Sequence, residues 1–167
     1  LRLGYQRGAA LGDLNGDGFL DIVVTSLGEK PRMLINSAGN ANHWLMLDLR
    51  GRRSNRDAIG AMVELTTASG RKLHNHVTTS VGFLSSSDKR VHFGLGPERV
   101  IRSLLIRWPS GITQSVSNPR ADRVMIIEEG VGTDPRGTVF RFRGQETPRV
   151  PPAPQNLHPG FPRSDSR

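Results

Sequence analysis

The chain has no cysteine, so neither a disulfide framework nor a thiolate nucleophile is available to it, and compartment must be read from other features. No stretch approaches the ~20 consecutive apolar residues that a membrane-spanning helix needs, so no transmembrane segment is expected. Aromatic residues make up only 5% of the chain, too few for a base-stacking surface. No charged-then-apolar leader stands ahead of Leu1, and the sequence reads as an internal or processed segment of something longer. Lysine is nearly absent, with only Lys30, Lys72 and Lys89 among 23 basic residues. Arginine carries the rest of a formal charge of +8.

Such a charge raises the question of a polyanion partner. The densest basic run holds four arginines, Arg50, Arg52, Arg53 and Arg56, while Arg102, Arg107, Arg141 and Arg143 are interleaved with apolar residues. That distribution describes a solvated arginine-rich surface, and no nucleic-acid partner is expected.

What the chain does have is 19 glycines and 11 prolines against a hydrophobic fraction of 35%, the balance of many turns and short strands. Leu45, Leu47 and Leu49 alternate with Met46 and Asp48, and Ala61, Val63 and Leu65 alternate with Met62, Glu64 and Thr66, each burying one sheet face at a period of two. The short connection Ala68-Ser69-Gly70 predicts a hairpin between Met62–Thr67 and Lys72–Thr79. Val100–Trp108 predicts a further strand, with Ile112–Val116 returning beside it after the turn Pro109-Ser110-Gly111 and Val124–Ile127 closing the unit. Turns every ~8–12 residues are the spacing of a sandwich or small barrel.

The organisation that follows is all-β. Residues 1–36 hold an acidic, glycine-rich loop, the strand Ile22-Val23-Val24, a turn around Gly28 to Pro31 and a short strand from Met33 to Ile35. A polar linker covers 37–42, the strand-rich unit 43–129, and an edge strand or extension 130–144, with Thr138–Phe142 as its strand. The tail 145–167 carries Pro148, Pro151, Pro152, Pro154, Pro159 and Pro162 and is expected to be disordered, because it cannot bury enough apolar surface to offset its ordering entropy.

The acidic loop carries the chemistry. Calcium takes six to eight oxygen ligands at ~2.3–2.6 Å, which a loop supplies by placing oxygen-bearing side chains at alternate positions around a tight turn. Asp13, Asn15 and Asp17 stand at positions 1, 3 and 5 of such a loop, Phe19 offers its backbone carbonyl at 7, and Asp21 stands at 9. Gly16 and Gly18 let the chain curl. The position where an EF-hand carries its bidentate glutamate is Val24, inside the β-branched run Ile22-Val23-Val24-Thr25, so the loop opens a strand instead of a helix. The plainer alternative is a solvated Asn-Gly and Asp-Gly turn without metal. Against it, three carboxylates packed this closely repel one another unless a cation lies between them.

The run from Gly8 to Val24 resembles the calcium loop of FG-GAP or VCBS repeats, which build β-propellers in integrin α-chains and in many bacterial surface proteins. Residues 1–36 offer about three strands where a propeller blade has four, so the resemblance implies the terminal segment of a longer propeller. A second resemblance covers about 43–129. Asn42-His43-Trp44-Leu45, the run Ser54 to Ala61, the run Gly82 to Asp88, Val91-His92-Phe93-Gly94-Leu95-Gly96 and Arg107-Trp108-Pro109-Ser110-Gly111 are similar to the ASPIC/UnbV domain, which follows such repeats in the cartilage acidic protein family and in bacterial relatives. Together they imply a calcium-binding, non-catalytic recognition or structural module of an extracellular or periplasmic protein, with a protein or glycan partner.

Other readings rest on weaker patterns. The loops Ser54–Asp57 and Ser85–Asp88 are candidate binding surfaces, or else turns in which Asp57 and Asp88 pair with nearby arginines. His74 and His76 share a strand face, yet no cysteine or nearby carboxylate accompanies them in sequence to complete a zinc site. Ser85, Ser86, Ser87, Asp88 and His92 contain the residue types of a hydrolase, which leaves a carbohydrate-active module, lectin-like or hydrolytic, as the alternative function. They lack the Gly-x-Ser-x-Gly elbow, and no catalytic residue is assigned. Trp44 and Trp108, at strand ends, are expected in the core or at its rim.

Overall fold

The computed structural model describes residues 5–37 and 42–130. The expected edge strand Thr138–Phe142, the proline-rich tail and part of the 37–42 linker lie outside them. The described residues form ten strands in three sheets and no helix.

The first sheet is an antiparallel meander of β1 (Gln6–Gly12), β2 (Asp21–Ser26) and β3 (Glu29–Leu34), in that order. Gly12 faces Asp21 at the end of the β1–β2 ladder, so the acidic loop is the hairpin connection between these strands. The second hairpin turns tightly at Leu27 and Gly28, and Pro31 lies within β3, which corrects the expectation of a turn reaching to Pro31. Proline cannot donate to a ladder, but among the described residues β3 is an edge strand.

The remaining strands are β4 (His43–Arg50), β5 (Met62–Thr67), β6 (Lys72–His76), β7 (Val91–Gly96), β8 (Ile101–Arg107), β9 (Thr113–Ser117) and β10 (Arg123–Glu128). One sheet runs β10-β4-β7 and the other β6-β5-β8-β9. The hairpin predicted around Ser69 is present as β5–β6, and β9 returns antiparallel to β8. The closing strand β10 pairs parallel with β4, and the backbone N–H of Asp122 donates to the Trp44 carbonyl at 2.7 Å just before it.

The two sheets enclose one core. Leu45, Leu47 and Leu49 of β4, Val91, Phe93 and Leu95 of β7, and Met125 and Ile127 of β10 pack with Val63, Leu65, Leu104, Ile106 and Val116 of the opposite sheet. Trp108 is buried at its edge, where its indole N–H donates to Gln114 Oε1 at 2.9 Å and so satisfies the one polar atom of the ring. Strict one-face burial fails at Met46, which lies on the opposite face of β4 from the core leucines and is nonetheless only 1% exposed. The outer face of β4 is therefore covered at Met46.

Candidate metal loop and its surroundings

Gly16 and Gly18 have φ of 77° and 89°, the left-handed conformations that fold eight residues back from the end of β1 to the start of β2. The loop is laced by its own side chains. Asp13 Oδ1 accepts the N–H groups of Gly16 at 2.8 Å and Asp17 at 3.1 Å, and its Oδ2 accepts that of Gly18 at 3.0 Å. Asn15 Oδ1 accepts the Asp17 N–H at 3.1 Å, while Asp17 accepts the Phe19 N–H at 2.8 Å and the Asn15 amide at 2.8 Å. Asp21 is fully buried; its two oxygens accept the N–H groups of Leu14 at 2.9 Å and Asn36 at 2.8 Å.

Asp13, Asn15, Asp17 and Phe19 therefore share one hairpin loop, with Asp21 opening the strand that follows, and together they offer hard oxygen donors of the type calcium takes. A carboxylate oxygen has two acceptor positions, and the Asp17 and Asp21 oxygens each use one, so acceptor capacity remains. Among the described residues, no three acidic or histidine side chains are gathered closely enough to hold an ion as they stand. None of the ion pairs among those residues involves Asp13, Asp17 or Asp21.

The loop rests on the outer face of the β10-β4-β7 sheet. Gly18 is buried against Trp44, and a Cβ added there would lie 1.8 Å from Trp44 Cε2. The Trp44 ring stacks on that of His92 with centroids 6.4 Å apart and planes 12° from parallel. His92 Nε2–H donates to the Gly18 carbonyl at 2.9 Å, a bond that places a proton on that nitrogen. Beside it, the Asp88 N–H donates to the Leu11 carbonyl at 2.9 Å and the Leu11 N–H to Ser87 Oγ at 3.1 Å.

These contacts take apart the hydrolase pattern. Ser85 Oγ donates to the Phe83 carbonyl at 2.9 Å, Ser87 Oγ accepts from Leu11, and the Asp88 carboxylate is held by Arg90. His92 is engaged with Gly18 and Trp44, and no serine hydroxyl is hydrogen-bonded to it among the described residues. Burial raises the Asp88 carboxyl, but the Arg90 side chain and amide outweigh it and hold the group below its usual range. Asp57 is lowered by its hydrogen bond to Lys89. The cleft lined by Asp48, Leu49, Asp57, Asp88, Lys89 and Arg90 holds about 150 Å³. Small-molecule sites usually hold ~300–1,000 Å³, so this is a salt-bridged groove below the usual range. His74 and His76 are exposed, and Glu64 does stand near the first, 3.9 Å from His74 Nδ1, contrary to the expectation of no close carboxylate. It also pairs with Lys72 at 2.8 Å.

Sequence reasoning missed a second polar centre. Glu129, 2% exposed, receives the backbone N–H groups of Arg52, Arg53 and Ser54 on Oε2, each at 2.7 Å. Its Oε1 receives the hydroxyls of Ser54, at 2.9 Å, and Ser110. Burial pushes this carboxyl up, but the Ser110 hydroxyl, the Ser54 and Arg52 amides and the Ser54 hydroxyl override it and hold the pKa at about 2, against an ordinary 4.5. Ser54, read from the sequence as part of a binding loop, is thus spent on an internal carboxylate. The available signal was the pair of turns at Ser54 and Ser110, whose donors converge across the fold.

The chain matches the family model described as ASPIC and UnbV over residues 51–134, half of its length, and that described as FG-GAP repeat over 6–42. It is similar to Cartilage acidic protein 1 of Xenopus tropicalis, 30% identical over 129 residues, which is 74% of this chain and 20% of that protein. The same-named mouse and human proteins are 28% and 27% identical over 129 residues, again 74% of this chain, with 20% and 19% of their own lengths covered. The chain spans about a fifth of the length of these curated relatives.

Proposed function

The chain belongs to the ASPIC and UnbV family, here preceded by an FG-GAP repeat, and on that premise we propose that it is a calcium-braced, non-catalytic recognition module of an extracellular or periplasmic protein. The observation that carries this reading is the burial of Asp21 in an acidic loop whose carboxylates form no ion pair among the described residues. Asp13, Asp17 and Asp21 lie within nine residues of a chain with formal charge +8, yet they take part in no ion pair among the described residues, and Asp21 is fully buried. Buried Glu129 takes five donors, whereas buried Asp21 takes only two N–H groups, and a divalent cation held by Asp13, Asn15, Asp17, Asp21 and the Phe19 carbonyl would fill the acceptor positions left over.

Calcium would supply charge neutralisation and a cross-link across the hairpin, stabilising the folded loop by mass action. The backbone turns are already made by Gly16 and Gly18, so gathering the ligands asks for side-chain rotation and little refolding. Weak, millimolar-range calcium modules suit the outside of the cell. Recognition of a protein or glycan partner then falls to the exposed surfaces of the braced module. The engagement of Ser85, Ser87, Asp88 and His92 in contacts of their own supports a non-catalytic role over a carbohydrate-active one.

Isothermal titration tests the metal reading. Calcium should bind the wild-type chain with one-to-one stoichiometry and fail to bind Asp17→Ala; a wild-type titration without heat at any temperature tried would refute it.

A further inference from the structure

Resting on the calcium reading for its affinity consequence but not for its geometry, we propose that the outer face of the β4–β7 pair is a seat for the loop, with Trp44 and His92 acting as positioning residues that set its calcium affinity. The sequence of β4 and β7 gives the first sign of this. Trp44 pairs with Gly94 and Met46 with His92 across the antiparallel ladder, so Trp44, Met46 and His92 share the face turned away from the sandwich core. A sheet with one face in a core normally turns polar residues outward. Here the outward face carries an indole, a thioether that is only 1% exposed, and an imidazole.

What lies on that face is the tightest point of the acidic loop. Gly18 stands between two prospective ligands, the Asp17 side chain and the Phe19 carbonyl, and it is gripped in two ways. Its missing Cβ lets the Trp44 indole approach to a distance no other residue permits, and its carbonyl takes the His92 Nε2–H at 2.9 Å. With φ at 89° as well, the glycine is required twice over, for backbone conformation and for contact.

The Leu11–Ser87 and Leu11–Asp88 hydrogen bonds hold the incoming strand β1 to the same domain, so the loop is fixed at its apex and on its approach. A metal loop held in shape before the ion arrives spends less of the binding free energy on ordering itself. The ASPIC and UnbV domain thereby supplies part of the calcium site without providing a ligand. Conversely, calcium that rigidifies the loop tightens the grip between repeat and domain, since the coupling is reciprocal.

The test compares His92→Phe, which keeps a ring for Trp44 to stack on but has no N–H to give Gly18, with His92→Gln, whose amide nitrogen stands near the position of Nε2. In calcium-free protein, hydrogen exchange at the Gly16, Asp17, Gly18 and Phe19 amides should speed about fivefold in His92→Phe, the size of one net hydrogen bond, with β8 amides unchanged. His92→Gln should recover most of that protection. The calcium dissociation constant should follow the same order, weaker by a similar factor in His92→Phe. Unchanged loop exchange in His92→Phe, or loss shared equally with β8, would overturn the seat. The exchange arm contains no calcium, so it decides the seat even where the wild-type chain takes up no metal; failed calcium binding with protected loop amides would count against the calcium reading alone.

Discussion

The first sheet and the sandwich are built from the same element but held together by different physics. The sandwich has a closed apolar core, with Leu45, Leu65, Leu95 and Leu104 at 0% exposure, whereas no apolar side chain of described residues 5–37 is buried. In the first sheet Met33 is 68% exposed and Leu34 54%. Its order comes from ladder hydrogen bonds, from the lacing of Asp13, Asp17 and Asp21 to loop amides, and from the seat on Trp44 and His92. Hydrophobic burial is the term that makes a domain self-sufficient, so the sandwich should fold by itself while the repeat should depend on its contacts with the sandwich. The difference teaches where the molecule should be rigid without metal and where it should respond to it.

The largest expected effect tests the self-sufficient half. Leu104→Ala, at a site of 0% exposure between β5 and β9, should cost about 2–5 kcal/mol in urea unfolding followed by circular dichroism. A loss well under 1 kcal/mol would mean the sandwich core is not the main source of stability.

Next comes Glu129. A carboxyl held at about 2 against 4.5 when unfolded stabilises the fold fully above pH 4.5, and the contribution drains away as pH falls from 4.5 through 2. Full linkage would cap it near 3 kcal/mol, and discounting for screening near the surface leaves roughly 1–2 kcal/mol. Glu129→Gln should therefore destabilise the sandwich at neutral pH and flatten the acid limb of its stability curve between pH 4.5 and 2, a comparison made by denaturant midpoints across that range.

Asp17→Ala should separate the halves more sharply. It should remove about 1 kcal/mol of local loop stability, the worth of its hydrogen bonds to the Phe19 amide and Asn15, while the urea midpoint of the sandwich stays in place. Calcium should raise loop protection in the wild type and leave this variant unaffected. At the bottom of the scale, Lys72→Ala breaks a solvent-screened cross-strand pair with Glu64 and should leave the urea midpoint of the sandwich unchanged.

The sandwich was largely legible because its signal is local. Leu45, Leu47 and Leu49 announce one buried face by alternation alone, and Ala68-Ser69-Gly70 announces a hairpin. What escaped depended on distant chain. Met46 looks solvent-facing until the outer face of β4 is found covered, and the parallel pairing of β10 with β4 joins residues far apart in sequence. Pro31 read as a turn because edge position, which permits proline in a strand, is a property of the sheet. The β4 strand also lies ahead of the residues matched to the ASPIC and UnbV model, yet it is the central strand of β10-β4-β7 and so part of the sandwich.

The loop residues were legible as a set because ligand spacing is periodic within nine positions. Two surrounding features were not. The Glu129 site is made mostly of backbone amides of 52–54, which carry no side-chain signature, and the contact of Gly18 with Trp44 and His92 joins the repeat to the domain that follows it.

One measurement reaches the metal, the loop and the seat together. Terbium, a hard trivalent ion of calcium's size and ligand preference, emits when a nearby excited indole transfers energy to it, and Trp44 lies against the loop while Trp108 lies in the sandwich core. Sensitised emission should rise to saturation at one equivalent, be competed away by calcium, vanish in Asp17→Ala and Trp44→Phe, and persist in Trp108→Phe. Absence of sensitised emission in the wild type, or emission that survives Asp17→Ala, would contradict a calcium-binding loop seated on the sandwich.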